Sequence, residues 1–240
     1  MSSGGGAFAL ALRPRAAPLE PVPYKPDFLE RITQRRAVLR AEVAALLPVP
    51  RPIVWEIGSG HGHFLVDYAR QHPKKYCIGV DIQLERLERS GKKRDRAQLP
   101  NCHFLRAEAR EFYNVLPAGV TLEEIWVLFP DPWPKARHNK NRLLKPEFFE
   151  GVAGRAGEGA RLYFRTDHLE YFREAEAGLK TLETWKIEPG APWPQETVTV
   201  FQERAPSYYS LVAVRTSNPA KPVEIVAPGL PPPTTPMSPA

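Results

Sequence analysis

At 240 residues with 42% hydrophobic content, the chain is long enough for one sizeable domain with its own core. Its formal charge of +6 and pI near 9.4 point to an acidic partner. Cys77 and Cys102 lack metal-ligand spacing, and there is neither a signal peptide nor an apolar run of membrane length. This speaks against metal-bound, secreted and membrane proteins and for a reduced, cytoplasmic chain.

Residues 1–26 are Gly-rich at first and then carry Arg13, Pro14, Arg15 and the Pro-Val-Pro of 21–23, the composition of a disordered arm. Over 27–50 apolar residues recur at roughly helical intervals (Phe28, Ile32, Val38, Leu39, Val43, Leu46, Leu47), which predicts an N-terminal helix capped by Asp27 and ending near Pro48. Its Arg31, Arg35, Arg36 and Arg40 read either as a solvated face or as an extension of a nucleic-acid surface. Residues 53–57 (IVWEI) form a strand that runs into Glu56-Ile57-Gly58-Ser59-Gly60-His61-Gly62 and then a helical stretch to about residue 70. A glycine turn between strand and helix lets the backbone approach a ligand closely. By itself it fits a nicotinamide or flavin dinucleotide as readily as another nucleoside.

Residues 76–80 read as the next strand, and Asp81 at its end stands where a carboxylate accepts hydrogen bonds from two ribose hydroxyls. Glu56 shifts the balance to S-adenosylmethionine, because a second carboxylate suits a cationic cofactor with a free amino group and is costly beside a pyrophosphate. His61 and His63 lie close together, but no further Cys, His or Asp at ligand spacing supports a metal. A helix over 83–98 carries Arg86, Arg89, Lys92, Lys93, Arg94 and Arg96, as a solvated face or a peripheral phosphate contact. A strand over 103–106 precedes Glu108, which either receives an adenine amino group or caps a helix.

The most abrupt change of character falls at 125–144. Residues 125–129 (IWVLF) form an apolar run suited to a strand buried on both faces. At its carboxyl end Asp131 lies between two prolines, which fix φ and stiffen the turn. From 132 to 146 the chain carries Lys135, Arg137, His138, Lys140, Arg142 and Lys145 and no acid. Read alone, such a run is a solvated face or a surface for a polyanion. The whole string is more specific. Phe129-Pro130-Asp131-Pro132-Trp133, followed by Lys135-x-Arg137-His138-Asn139-Lys140, closely resembles the signature of the bacterial tRNA (guanine-N7-)-methyltransferase family.

The resemblance covers about residues 53–214. It implies a class I S-adenosylmethionine-dependent methyltransferase domain over 51–216, followed by a loose Pro-rich tail over 217–240. The implied fold is α/β: a Rossmann-like, seven-stranded, mostly parallel sheet with helices on both faces and an antiparallel last strand pair. S-adenosyl-L-methionine is implied as the cofactor, held by Glu56, Gly58, Gly60, Asp81, Glu108 and Asp131. Asp81 and Glu108 stand where a common pattern has Glu and Asp, which keeps the type of hydrogen bond and changes its reach by one methylene.

The implied substrate is a variable-loop guanine of tRNA. Lys135, Arg137, Lys140 and Arg142 are expected on its phosphates, with His138 and Asn139 in the same binding loop. A helix over 146–156 and a strand over 161–165 lead to Thr166 and Asp167, where the family has a substrate-contacting acid; an N-cap for a helix over 168–179 is the other reading of Asp167, and the two can coexist. Strands over 184–187 and 207–214 complete the sheet. Between them TVTVFQER resembles the family's Thr-x-Phe-Glu segment, which brings in Thr199, Phe201 and, in place of the acid, Gln202.

Guanine N7 offers a lone pair and carries no proton, so methylating it requires positioning and charge balance but no general base. Asp131 is the candidate catalytic group. Two other classes compete: a small-molecule methyltransferase, which the acid-free cationic loop disfavours, and a noncatalytic RNA-binding protein, which the four retained acids disfavour.

Overall fold

The protein is described here by a computed structural model covering residues 24–197, 203, 205 and 207–233. The chain forms α1 (Pro26–Leu46), β1 (Pro52–Ile57), α2 (His63–Gln71), β2 (Cys77–Asp81), α3 (Leu84–Arg96), β3 (Cys102–Arg106), α4 (Ala109–Val115) and β4 (Thr121–Leu128). A short 3-10 helix (Ala136–Asn141), α5 (Pro146–Ala153), β5 (Ala156–Thr166), α6 (Leu169–Lys180), β6 (Trp185–Ile187) and β7 (Tyr209–Arg215) follow. Among the described residues the strands make one seven-stranded sheet in the order β3-β2-β1-β4-β5-β7-β6. Neighbours from β3 to β5 pair in parallel, and β7 is antiparallel to both β5 and β6. The expected sheet is therefore present, including its antiparallel edge pair.

The apolar runs of β1 and β4 occupy the middle of the sheet because only there are both faces covered. With period 2 along each strand, Trp55, Ile125 and Val127 join a core with α1, α4, α5 and α6, while Val54 and Trp126 join a second core with α2. In that second core Trp126 stacks on Tyr163 with centroids 3.8 Å apart. β4 begins earlier than its apolar run and takes in Glu124, tolerated inside the sheet because Tyr68 and the Trp126 indole N–H donate to it at 2.8 and 2.9 Å and Lys75 pairs with it.

Helix ends differ from expectation at two caps. α1 starts at Pro26, with Lys25 as N-cap and Asp27 in the first turn, since proline at N1 is already set at a helical φ and an acid there meets the positive end of the dipole. α6 is capped by His168, whose Nδ1 accepts from the Tyr171 amide, and not by Asp167.

The stretch expected as a loose tail lies, over 217–233, against the body without forming a helix or strand. Ile225 and Ala227 are buried, and Asn114 donates to the Ile225 carbonyl at 2.7 Å. A Cβ on Gly151 would fall 2.3 Å from Ile225 Cδ1, so the glycine makes room for that side chain. The Arg36 guanidinium binds Glu111 through Nε and Nη2 at 2.8 and 3.0 Å and also donates to the carbonyls of Pro231 and Pro232. An arginine read as solvated is thus a buried tie between α1, α4 and this strap. Proline-rich composition signals only that a segment lacks regular hydrogen bonding; its carbonyls remain good acceptors.

Candidate active site

The carboxyl ends of β1 to β4 open on one side of the sheet, where the strand order reverses between β1 and β4. Ligand crevices of open α/β sheets lie at this point. After β1, Gly58, Gly60 and Gly62 all have positive φ (72°, 53° and 68°), a conformation that L side chains rarely adopt. A Cβ on Gly58 would meet nothing within 4 Å, so that side of the turn is open; one on Gly62 would come within 2.8 Å of Phe104 and Ser90, so the last glycine allows α2 to pack.

Asp81, at the end of β2, is buried and locks this turn. Its Oδ2 accepts from the Gly60 amide at 2.9 Å and its Oδ1 from the Gln83 amide at 2.8 Å. Ser90 Oγ donates to the Gly60 carbonyl at 2.9 Å. Turn, acid and α3 are therefore tied together. Glu56 is 3% exposed, and its Oε2 has no hydrogen-bond partner among the described residues. Burial, reinforced by the charge of Asp81, holds its carboxyl well above the usual carboxylate range.

Glu108, after β3, is the N-cap of α4. Its Oε2 accepts from the amides of Arg110 and Glu111 at 2.7 and 3.1 Å, and its Oε1 pairs with Arg110 Nη1 at 2.7 Å. These contacts match the helix-cap reading of this acid. Its side chain keeps 29% exposure.

Beyond β4 the chain takes an unusual path. Phe129 (φ 49°) and Trp133 (φ 46°) are both left-handed without being glycine. Such residues cost on the order of 1–3 kcal/mol each and persist only where the surroundings enforce them. Between them Asp131 is exposed, with no hydrogen-bond partner among the described residues. Of the basic loop, Lys135, Arg137 and Lys140 are exposed, and the Arg137 Nε donates to His138 Nε2 at 3.2 Å. His138 is half-buried, edge-on to Trp133 at 5.9 Å, and Asn139 reaches Glu174 of α6 at 3.5 Å.

Arg142 departs from the expected role. It is 1% exposed, so a phosphate cannot reach it without displacing the loop. Its Nε donates to the Pro132 carbonyl at 2.8 Å and its Nη2 to the Trp133 carbonyl at 3.5 Å, while Nη1 lies 2.6 Å from Glu174 and 3.7 Å from Glu170.

Asp167 is exposed at the end of β5, beside the turn, where the Phe129 amide donates to the Arg165 carbonyl at 2.8 Å. Thr199, Phe201 and Gln202 lie outside the described residues. One residue near the turn escaped the sequence reading. Arg165 is buried, binds Glu196 through two parallel bonds of 2.8 and 2.9 Å, and lies between the rings of Trp193 and Tyr208 at 4.0 and 4.4 Å. Tyr208 in turn meets Phe129 edge-on at 5.9 Å. Arg165 thus ties the segment around Glu196 to the turn of Asp131. Its only signal was an arginine closing the strand RLYFR, two residues before Asp167.

A sheet in this order, with a glycine turn after β1 and acids at the ends of successive strands, defines an S-adenosylmethionine-dependent methyltransferase. A family model described as "Putative methyltransferase" matches residues 50–208. The chain is 31% identical over 154 residues to the tRNA (guanine-N(7)-)-methyltransferase of Thermosynechococcus vestitus, covering 61% of this chain and 71% of that one. It is 36% identical over 156 residues to the enzyme of that name from Deinococcus radiodurans, covering 64% of this chain and 48% of the relative. The chain belongs to the tRNA (guanine-N7-)-methyltransferase family. It spans most of some of its relatives and about half of others. Two solved structures share the fold at 18% identity and a TM-score of 0.51: TrmN from Thermus thermophilus, covering 74% of this chain and 48% of that one, and the 16S rRNA methyltransferase KamB, covering 75% and 92%.

Among the described residues no helix is long and apolar enough to cross a membrane, and no group of three or more His, Cys, Asp or Glu could hold a metal ion.

Proposed function

We propose that this chain acts in the cytoplasm, transferring the methyl group of S-adenosyl-L-methionine to N7 of a variable-loop guanine in tRNA. The observation that carries this reading is the exposed carboxylate of Asp131, unpartnered among the described residues and set on a strained turn between the glycine-turn crevice and an acid-free cationic loop. The cofactor supplies a methyl group on a positively charged sulfur. The rest falls to the chain. Asp81 accepts from the ribose hydroxyls with lone pairs that its two amide bonds leave free, and the open side of Gly58 admits the cofactor backbone. Glu56 offers a buried oxygen without a donor among the described residues, which an ammonium group completes. Glu108, already a cap, meets the adenine amino group with its exposed edge. Asp131 accepts from N1 and N2 of the guanine and balances the charge arriving on the purine, with Asp167 on the neighbouring strand end as a second acid. Incubation with labelled S-adenosylmethionine and bulk tRNA tests the reading: label should enter RNA at N7 of guanine, and label confined to small molecules, or none, would overturn it.

Lys135, Arg137 and Lys140 are the phosphate contacts in this reading, orienting the RNA without reading its sequence. Replacing Arg137 and Lys140 by Ala should reduce the slope of log affinity against log salt by roughly 0.7 per lost contact on a single-stranded segment. Cofactor affinity should stay constant. A collapse of cofactor binding with an unchanged slope would assign the loop to the cofactor instead.

Glu56 makes cofactor binding depend on pH. In the free protein its raised pKa keeps the proton on at pH values where an ordinary glutamate has lost it. A cationic ammonium alongside drives that proton off, so binding releases it, and affinity should fall about tenfold per pH unit below the raised value. The free protein shows the complementary trend. The stability tied to the raised pKa is fully present below the usual glutamate range and is lost as pH rises through Glu56's own value. Glu56→Gln should abolish both slopes. Calorimetry of S-adenosylhomocysteine in buffers of different ionisation enthalpy counts the protons, and equal heats in all buffers from acid to neutral pH would rule this out.

A further inference from the structure

We propose that Arg142 is a positioning residue for methyl transfer, a buried strut that fixes the backbone carrying Asp131 to α6. The inference rests on the reading of Asp131 given above. Residues 129–134 contain Pro130, Pro132 and Pro134, which have no amide hydrogen, so half of this turn cannot hold itself by donating. Both of its left-handed residues, Phe129 and Trp133, need outside support. On the strand side that support is the Phe129 amide bonded to Arg165 O. On the far side it is Arg142, which donates to the carbonyls of Pro132 and Trp133, the two residues that follow Asp131.

The strut is itself seated on α6. Glu170 and Glu174 neutralise it from the rim of the protein, with side chains 60% and 43% exposed. The ring of fully buried Tyr171 lies 5.3 Å from the guanidinium, and its hydroxyl accepts from the amides of Leu143 and Leu144, both at 3.1 Å. Asp167 stands two residues before α6 begins. One helix therefore sets the positions of both carboxylates proposed to face the guanine. A planar fork that spans two carbonyls and two acids needs arginine; a lysine ammonium cannot reach all four.

The test compares Arg142→Met, Arg142→Lys and the double variant Glu170→Gln/Glu174→Gln in the full chain. With Arg142→Met, single-turnover methylation of tRNA at saturating cofactor should fall by about 30-fold or more, since small misplacements of reacting groups have effects of this order. KM for tRNA, the salt slope and the affinity for S-adenosylhomocysteine should not change. Arg142→Lys should recover part of the rate. The double variant keeps an acceptor oxygen at each position and leaves the hydrogen bonds to the turn in place, so it is the milder change; its rate should fall by about three- to tenfold. A salt slope reduced by about 0.7 in Arg142→Met with full turnover would make Arg142 a phosphate contact and overturn the proposal. So would full turnover in the double variant. If wild type places no label in tRNA, the substrate reading fails first. The strut is then judged by amide exchange at Phe129, the hydrogen-bonded amide of the turn, which should quicken in both Arg142→Met and the double variant; unchanged exchange overturns it.

Discussion

Asp131→Asn should lower the single-turnover rate of tRNA methylation by about 10²-fold, with the loss in turnover and not in tRNA affinity. Asparagine keeps the shape of the side chain but removes the charge that balances the cationic purine. It also turns one acceptor into a donor facing the donors of the guanine. In the free protein Asp131 is exposed and unpartnered among the described residues, and the turn is held by Arg165 and Arg142, so the substitution leaves the fold intact. The pH profile carries the other half. N7 has no proton to remove, so the wild-type rate should show no essential base titrating near neutrality. A variant with full turnover, or a wild-type profile governed by a group near pH 7, would overturn the positioning role.

Asp81→Ala should weaken cofactor binding by about 1 to 3 kcal/mol, towards the upper end, because two sets of partners lose their acceptor at once. The ribose hydroxyls lose theirs, and so do the amides of Gly60 and Gln83 that shape the turn. The same geometry makes asparagine a poor replacement. Both carboxylate oxygens accept from backbone amides, so Asp81→Asn points an NH₂ at one N–H and should bind no better than the alanine variant. Calorimetry with S-adenosylhomocysteine on folded proteins decides it, and undiminished affinity in Asp81→Ala would remove the assignment.

The sheet was legible because its central strands are buried on both faces and so appear as unbroken apolar runs, while the glycine turn and the Pro-Asp-Pro string mark strand ends by backbone chemistry alone. Side-chain direction was less legible. Arg137 and Arg142 sit in the same basic run, yet one is exposed and the other is 1% exposed, and nothing local separates them. What does so is Glu170 and Glu174, more than twenty residues on and brought alongside only by α6. Glu108 and His168 show a related ambiguity, since an acid or a polar residue that precedes a helix after a strand can serve the helix, the ligand or both. Arg36 was misread for the same reason as Arg142, its partners being Glu111 and the carbonyls of a proline-rich stretch.

That stretch bears on how the protein is made. Arg36 meets the carbonyls of Pro231 and Pro232 across 195 and 196 residues of sequence. During translation α1 emerges early and Arg36 can meet Glu111, 75 residues later, but its two carbonyl partners come only after 195 and 196 residues. At about 5–20 residues per second the wait is about 10–40 s. Over the same interval the notch at Gly151 lacks Ile225, and apolar surface that ends up buried faces solvent. A ribosome stalled shortly before Pro231 would therefore hold a methyltransferase core whose N-terminal helix is packed and paired with Glu111 but lacks its last tie, the carbonyls of Pro231 and Pro232.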